Sequence, residues 1–487
     1  MSLNSRIIRR WTKVGAHLLP FANASSATLP LGRLLRLSLF QISCGMSAVL
    51  LVGTLNRVMI VELNVSAALV AGMVALPLLF APLRALIGFK SDNYKSLLGW
   101  RRVPYLWLGT IIQFSGLAMM PFALLVLSGD TWADPWVGQL AAAIAFLCVG
   151  AGMHTVQTVG LALAADLTPR DQQPNVVAML SAMQLLGMVI SALIFGAMLA
   201  DFSQLKLIQV IQGAGLLTLV LNLIAVWKQE ARDPSRTART GGHEPGFLES
   251  FRMLRATGPW NRRLLGLGLG TAGFAMQDVL LEPYGGQVFG LPVGATTALS
   301  ALLAGGAVVG FLRAARKLRL GFDPHLVAGH GALFGVVGFS LIVFAGPLQH
   351  VMLFAAGVTV IGFGAGLFGH ATLTSCMSAA PPEHVGLALG VWGAVQATAA
   401  GCAIAFGGVL RDVITALATS GALGEGFTDP LVGYTSVYLI EIVLLFITLA
   451  VVGPLVQRTG SSASRLSSGA GVAGSSPAGD LAGPARL

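Results

Sequence analysis

Hydrophobic positions along this chain fall in long unbroken blocks, without the alternation that a surface helix or a half-buried strand leaves. Twelve blocks stand out, at 34–61, 66–88, 103–127, 137–165, 176–200, 205–227, 264–281, 293–312, 326–345, 351–376, 385–410 and 434–456. Each is near the length of about 20 residues that an α-helix needs to cross the bilayer hydrocarbon. A helix pairs its backbone N–H and C=O groups within the segment, as lipid demands. The pattern predicts an all-α polytopic membrane protein with 12 transmembrane helices. The seventh block is the shortest and runs into Glu282-Pro283-Tyr284-Gly285-Gly286 before the apolar pattern resumes at Val293. Pro lacks the N–H that continues a helix, and Gly adopts conformations other residues resist, so a helix broken at these residues is expected.

The longest polar interruption divides the blocks six and six. Five segments follow: a basic N-terminal segment 1–33, a six-helix half 34–227, a central loop 228–263, a second six-helix half 264–456 and a tail 457–487. The first segment lacks the apolar core of a cleavable signal peptide, and its Trp11, Leu18, Leu19 and Phe21 suit an interfacial helix. The middle of the central loop, RDPSRTARTGGHEPG, is polar and rich in Gly and Pro. Beyond it, Phe247, Leu248, Phe251 and Leu254 recur at helical spacing among Arg residues, which predicts a basic amphipathic helix on the membrane face. The tail is Gly, Ser, Ala and Pro with too little bulk to fold.

Composition narrows the class. Hydrophobic residues make up 55% and charged residues 10%, more apolar surface than soluble domains absorb. The 61 glycines suit closely packed membrane helices. A net charge of +10 would point to nucleic acid in a soluble protein, but the positions of Lys and Arg give another reason. With the N-terminus inside, only Arg57, Lys206 and Arg411 fall on the outer side, and Arg84 lies within a block. The positive-inside rule then places both termini in the cytoplasm, with the lipid bilayer rather than nucleic acid as partner. Cys44, Cys148, Cys376 and Cys402 all lie inside apolar blocks, without metal-ligand spacing or a basis for pairing. GxxxxGK[ST] is absent and no Ser/His/Asp constellation stands out, so no enzymatic activity is expected.

An internal repeat supports the division. Gly88-Phe89, nine residues, then Gly99-Trp100 after the second block is echoed by Gly310-Phe311, nine residues, then Gly321-Phe322 after the eighth. Two parallel six-helix halves are the architecture of the major facilitator superfamily. GFKSDNYKSLLGWRR resembles that superfamily's loop signature through Gly88, Asp92, Gly99, Arg101 and Arg102, with extra residues between Asp92 and Gly99. Asp92, Arg101 and Arg102 would then form a latch of charges at an inner helix end; ordinary surface charge is the alternative. Arg57 ends the first block and Asp278 the seventh, equivalent places from which opposite charges would close the outer mouth, with Glu62 and Glu282 beside them. The alternative is that Arg57 and Glu62 snorkel to the interface. Glu441 and Arg84 are further isolated charges. His154 and His370 lie in equivalent blocks beside clustered Gly. An interhelical hydrogen bond is the commoner use of such a His; axial ligation of a metal centre such as the Mg of a chlorophyll is the other. Aligning Pro169 with Pro382 sets Gln157, one turn from His154, opposite His370.

Three stretches carry a more specific likeness: GFAMQDVLLEPYGGQVFGLPVGATT at 273–297, LFQISCGMSAVLLVGTLNRVMIVEL at 39–63 and LRALIGFKSDNYKSLLGWRRVPY at 83–105. Together they resemble the PucC/LhaA family of phototrophic bacteria, a bacteriochlorophyll-delivery branch of the major facilitator superfamily. The likeness covers about 31–456, apart from the middle of the central loop. It implies a factor for assembly of light-harvesting antenna complexes in the intracytoplasmic photosynthetic membrane. Its implied partners are antenna polypeptides and bacteriochlorophyll or its synthase, with His154, His370 and Gln157 as candidate pigment contacts. A proton-coupled carrier of a small solute is the second reading. A carrier needs a protonatable midplane site, whereas Glu62, Asp278 and Glu282 cluster toward one face.

Overall fold

The computed structural model describes residues 30–79, 84, 87, 91, 100–129, 134–169, 172–230, 247–381, 385–424, 429 and 431–456. The N-terminal segment to residue 29, most of the loop carrying Asp92, the middle of the central loop and the tail from residue 457 lie outside them.

Nearly every apolar block is a helix. Before the central loop come α1 (Leu31–Glu62), α2 (Ala67–Leu79), α3 (Val103–Leu127), α4 (Pro135–Asp166), α5 (Gln173–Met198) and α6 (Gln204–Val226). After it come α7 (Phe247–Ala256), α8 (Trp260–Ala275) with a 3-10 turn at Met276–Val279, and α9 (Leu281–Phe289). The chain continues through α10 (Val293–Arg319), α11 (Pro324–Leu348), α12 (Val351–Ala379), α13 (Val385–Thr419) and α14 (Leu431–Val452). Ten helices are long and apolar enough to span a membrane, and α8 with α9, bent by 43°, makes an eleventh. The described part of α2 falls short of that length, so the described residues do not reproduce the expected count of 12.

Helix pairing before the central loop recurs after it. The pairs α1–α5, α1–α6, α2–α4, α3–α4 and α3–α6 correspond to α8–α13, α8–α14, α10–α12, α11–α12 and α11–α14. Glycine makes this packing possible. A methyl group at Gly116 would strike the backbone of Ala145 and Val149, and one at Gly338 the backbone of Gly357 and Ile361. Small residues let helix backbones approach to van der Waals contact where no hydrophobic force drives association. Large apolar side chains such as Phe122, Leu216 and Met352 point outward, where lipid solvates them.

The two sets meet chiefly through α2 with α13 and α5 with α10. Among the described residues, the hydrogen bonds that cross between them join Thr54, Asn56, Arg57 and Ala68 to Thr297, Asp278, Leu291 and Asp412. All lie at the end of the bundle where α1 turns into α2. At the other end, Arg33 bonds Gln229 and Arg262 bonds the carbonyl of Val451, so each set ties its own first and last helix together.

Two expectations need correction. The break in the seventh block lies at Met276–Val279, before the Pro-Gly stretch, and Glu282 through Gly286 are helical in α9. Pro283 falls in the first turn of α9, where its missing N–H costs little because first-turn amides lack partners within the helix. Gly290, at φ 64°, ends that helix in the left-handed conformation glycine favours. The amphipathic helix forms as α7, but Leu254 is buried against Trp260, Cys376 and Ala388. Protein therefore takes part of its apolar face, while Arg252, Met253 and Arg255 stay exposed.

Candidate functional site

Polar side chains gather where α8 breaks. A 3-10 turn within a membrane helix frees backbone groups that need partners. Glu441 of α14, fully buried, accepts the Gln277 N–H at 2.8 Å. The Gln277 side chain donates to Asp278 Oδ1 at 2.6 Å and to the Phe274 carbonyl at 3.3 Å. Asn56 of α1 reaches the Asp278 carbonyl at 3.5 Å, the outer limit of a hydrogen bond. One turn on, the Glu282 carboxyl group is held by Ser300 at 2.5 Å and Thr297 at 3.5 Å, both on α10. Gly53 faces this carboxyl; a side chain there would overlap it.

The expected pair between Arg57 and Asp278 is not formed. Arg57 binds Glu62, one turn along α1, and donates to the Leu291 carbonyl at 3.3 Å. Its guanidinium lies over Gly286, so it crosses to the second set through backbone rather than through an acid. Arg57 meets the second set beyond the bend between α8 and α9, at Gly286 and Leu291, and not at Asp278. Aromatic rings close the site behind: Tyr284 meets Phe354, Tyr434 and Tyr438 edge to face at 5.2–5.4 Å. Arg411 binds Gln287 at 2.6 Å and Asp412 at 2.8 Å, and Asp412 accepts the Ala68 N–H at 2.7 Å. That last bond sets a carboxylate on the N-terminal turn of α2, where the helix dipole favours it.

The two candidate histidines sit in different surroundings. His154 is 8% exposed, and neither ring nitrogen has a hydrogen-bond partner. Gln157 lies near enough to act on it electrostatically without meeting hydrogen-bond geometry. The glycines beside it are occupied: Gly150 packs on Pro77 and Gly152 on Gly109 and Gln113. They serve helix packing and do not line open space beside the ring. His370 has the Phe311 ring 4.1 Å from its own, an orphaned Nδ1, and open space at Gly369. The contacts of Gly116 and Gly338 pair Ala145 with Gly357 and Val149 with Ile361. Carried forward, that register sets His370 opposite Thr158, one turn beyond His154, so the two rings are not symmetry mates. Gln157 bonds Gln184 at 2.8 Å and accepts from Arg84 at 2.8 Å.

At the end that carries Arg33 and Gln229, Arg102 pairs with Asp166 at 3.0 Å and Arg101 with the same carboxylate at 3.7 Å. Glu230 accepts the backbone N–H groups of Arg101, Arg102 and Val103, capping α3. Asp92 lies outside the described residues. Asp166, Glu230 and Asp412 were not singled out from sequence. Asp166 and Glu230 stand at helix ends, where an acid among polar neighbours gives no distinctive signal, and Asp412 lies in α13 beyond the apolar block read from sequence.

These features have parallels among known proteins. The chain is similar to protein PucC of Rhodovulum sulfidophilum, 58% identical over 85% of this chain and 92% of the relative. It is also similar to the bacteriochlorophyll synthase 44.5 kDa chain of Rhodobacter capsulatus, 30% identical over 78% of this chain and 86% of that one. In three dimensions it resembles a bacterial homologue of the human lysosomal transporter Spinster, solved inward-facing and unoccupied. The TM-score is 0.64 at 17% identity, covering 86% of this chain and 95% of that one. That likeness establishes a shared fold, in a multi-pass membrane protein. The family described as PUCC protein matches residues 54–460, from the glycine-packed junction of α1 to beyond the last helix, and the chain belongs to that family.

Proposed function

We propose that this protein is an assembly factor for light-harvesting antenna complexes, which holds bacteriochlorophyll in the photosynthetic membrane and hands it to antenna polypeptides. Membership of the PucC family supports the antenna connection. The observation that carries the pigment is His370, whose buried Nδ1 has no partner and which lies beside the open space at Gly369. An unpaired polar group in a membrane interior costs about 1–3 kcal/mol, which a ligand would recover. When bound, bacteriochlorophyll supplies the light-absorbing ring, whose Mg takes one axial donor. His370 would offer a neutral nitrogen to it, and His154 a second. The role is binding and transfer, without catalysis. Antenna polypeptides would meet the outward apolar faces that lipid otherwise covers.

The test is pigment content after purification from pigment-producing cells. The parent protein should carry pigment absorbing in the near infrared, and His154→Ala with His370→Ala should strip most of it. A parent without pigment would sink the delivery reading. A double variant with full pigment and an unchanged spectrum would remove the histidines from it. A second reading, a proton-coupled solute carrier, draws on the buried carboxyl groups of Glu282 and Glu441 at the junction of the two sets. Uptake driven by a pH gradient in pigment-free vesicles would favour it.

A further inference from the structure

Arg84 is a cation on a membrane helix, half-buried among α1, α4 and α5. Its Nε donates to Thr158 Oγ1 at 3.0 Å and its Nη2 to Gln157 Oε1 at 2.8 Å. Gln157 passes the contact on to Gln184 of α5 at 2.8 Å. The ionisable neighbours of Arg84 are the Cys44 thiol and the His154 imidazole, with no carboxylate among the described residues. Arg57, Arg102 and Arg411, by contrast, each have a carboxylate partner, in Glu62, Asp166 and Asp412. Neutral acceptors hold the guanidinium in place but leave its charge unbalanced, and an isolated charge within a membrane is costly. Its Nη1 makes no hydrogen bond, so one edge of the planar fork remains available. Beside it stands His154, more than nine-tenths buried, with two unpartnered ring nitrogens.

We infer that Arg84, with Gln157, Gln184 and His154, is a binding site for the carboxylate of an amphipathic ligand. A single guanidinium balances one negative charge, and the parallel N–H groups of its free edge match a planar carboxylate in bidentate fashion. A small hydrated anion would have to shed all its water to reach this depth, whereas an amphipath brings an apolar body that the helices solvate. Two sources share this chemistry, a fatty acid and a tetrapyrrole with a free side-chain carboxylate. The carboxylate contact does not depend on axial ligation by His154, so it can be tested separately from the pigment-holding role, although the two share that residue.

The experiment titrates the purified full-length protein in detergent with pheophorbide a and with its methyl ester. Neither ring carries a metal, so ligation by histidine does not enter. The free acid should bind at least about tenfold more tightly than the ester, the scale of one charge-assisted pair. Arg84→Gln should erase that preference, and Arg84→Lys should keep part of it through charge without the fork. Gln184→Glu supplies a carboxylate from the protein itself and should erase the preference while leaving Arg84 in place, which covers the case where Arg84→Gln fails to fold. Oleate displacing the acid where methyl oleate does not would assign the site to carboxylates in general; failure of oleate to displace it would assign the site to the tetrapyrrole acid. Equal affinity of acid and ester, or a preference that survives in both Arg84→Gln and Gln184→Glu, would overturn the inference.

Discussion

Gly53 decides by omission how α1 meets α10. Its missing side chain leaves room for the Glu282 carboxyl group and the Ser300 hydroxyl, which approach the α1 backbone from the second set. Replacing it with Val forces a branched side chain into a filled junction, an overpacking cost of about 1–3 kcal/mol. Gly53→Val should lower the melting temperature of the purified protein. Gly72→Val, at a position with open space around it, should leave melting nearly unchanged. Equal melting of the two variants would mean that this junction is looser than described. Arg57 teaches a related lesson. Equivalent places in the two blocks predict an ion pair with Asp278, yet the acid that Arg57 meets is Glu62 on its own helix.

At the scale of elements, the break in α8 is held by a neighbour. Glu441 lies far away in sequence but supplies the acceptor for the Gln277 N–H that the 3-10 turn leaves over. Glu441→Leu removes that acceptor and strands the amide in an apolar interior, at about 1–3 kcal/mol. Glu441→Gln keeps an oxygen at the same place. Thermal unfolding in detergent should therefore show a clear loss for Glu441→Leu and a small one for Glu441→Gln. Matching losses would show that the acceptor is not what supports the turn. The amphipathic helix α7 follows the same logic, since the 3.6-residue pattern requires a covered face without saying what covers it. Trp260 and Cys376 take up Leu254 there.

For the whole molecule, the decisive feature is that helix pairing recurs in two sets, and that among the described residues the hydrogen bonds between them lie at one end. The positive-inside rule, applied to the Lys and Arg of the sequence, predicts that this end faces away from the cytoplasm. A reporter active only in the cytoplasm should work when fused after Leu487 and fail when inserted at Gly421. The reverse pattern would invert the orientation.

The sequence by itself determined the class, the near-complete helix order and the family, because each rests on local information. Apolar block length sets a membrane helix, and the long motifs at 39–63, 83–105 and 273–297 are contiguous in the chain. It also marked Asp278, Glu282, Arg57, His154 and Arg84 as charges or imidazoles out of place in lipid. What each of them touches was decided only by tertiary structure. The chain did not disclose that the seventh block breaks before its Pro-Gly stretch, since the turn at Met276–Val279 is stabilised by Glu441 from α14. Nor did it disclose that the glycines beside His154 are filled by α2 and α3, or that Arg84 faces amides rather than acids. A hydrogen bond or a packed glycine has two partners, and sequence names only one until the helices have docked.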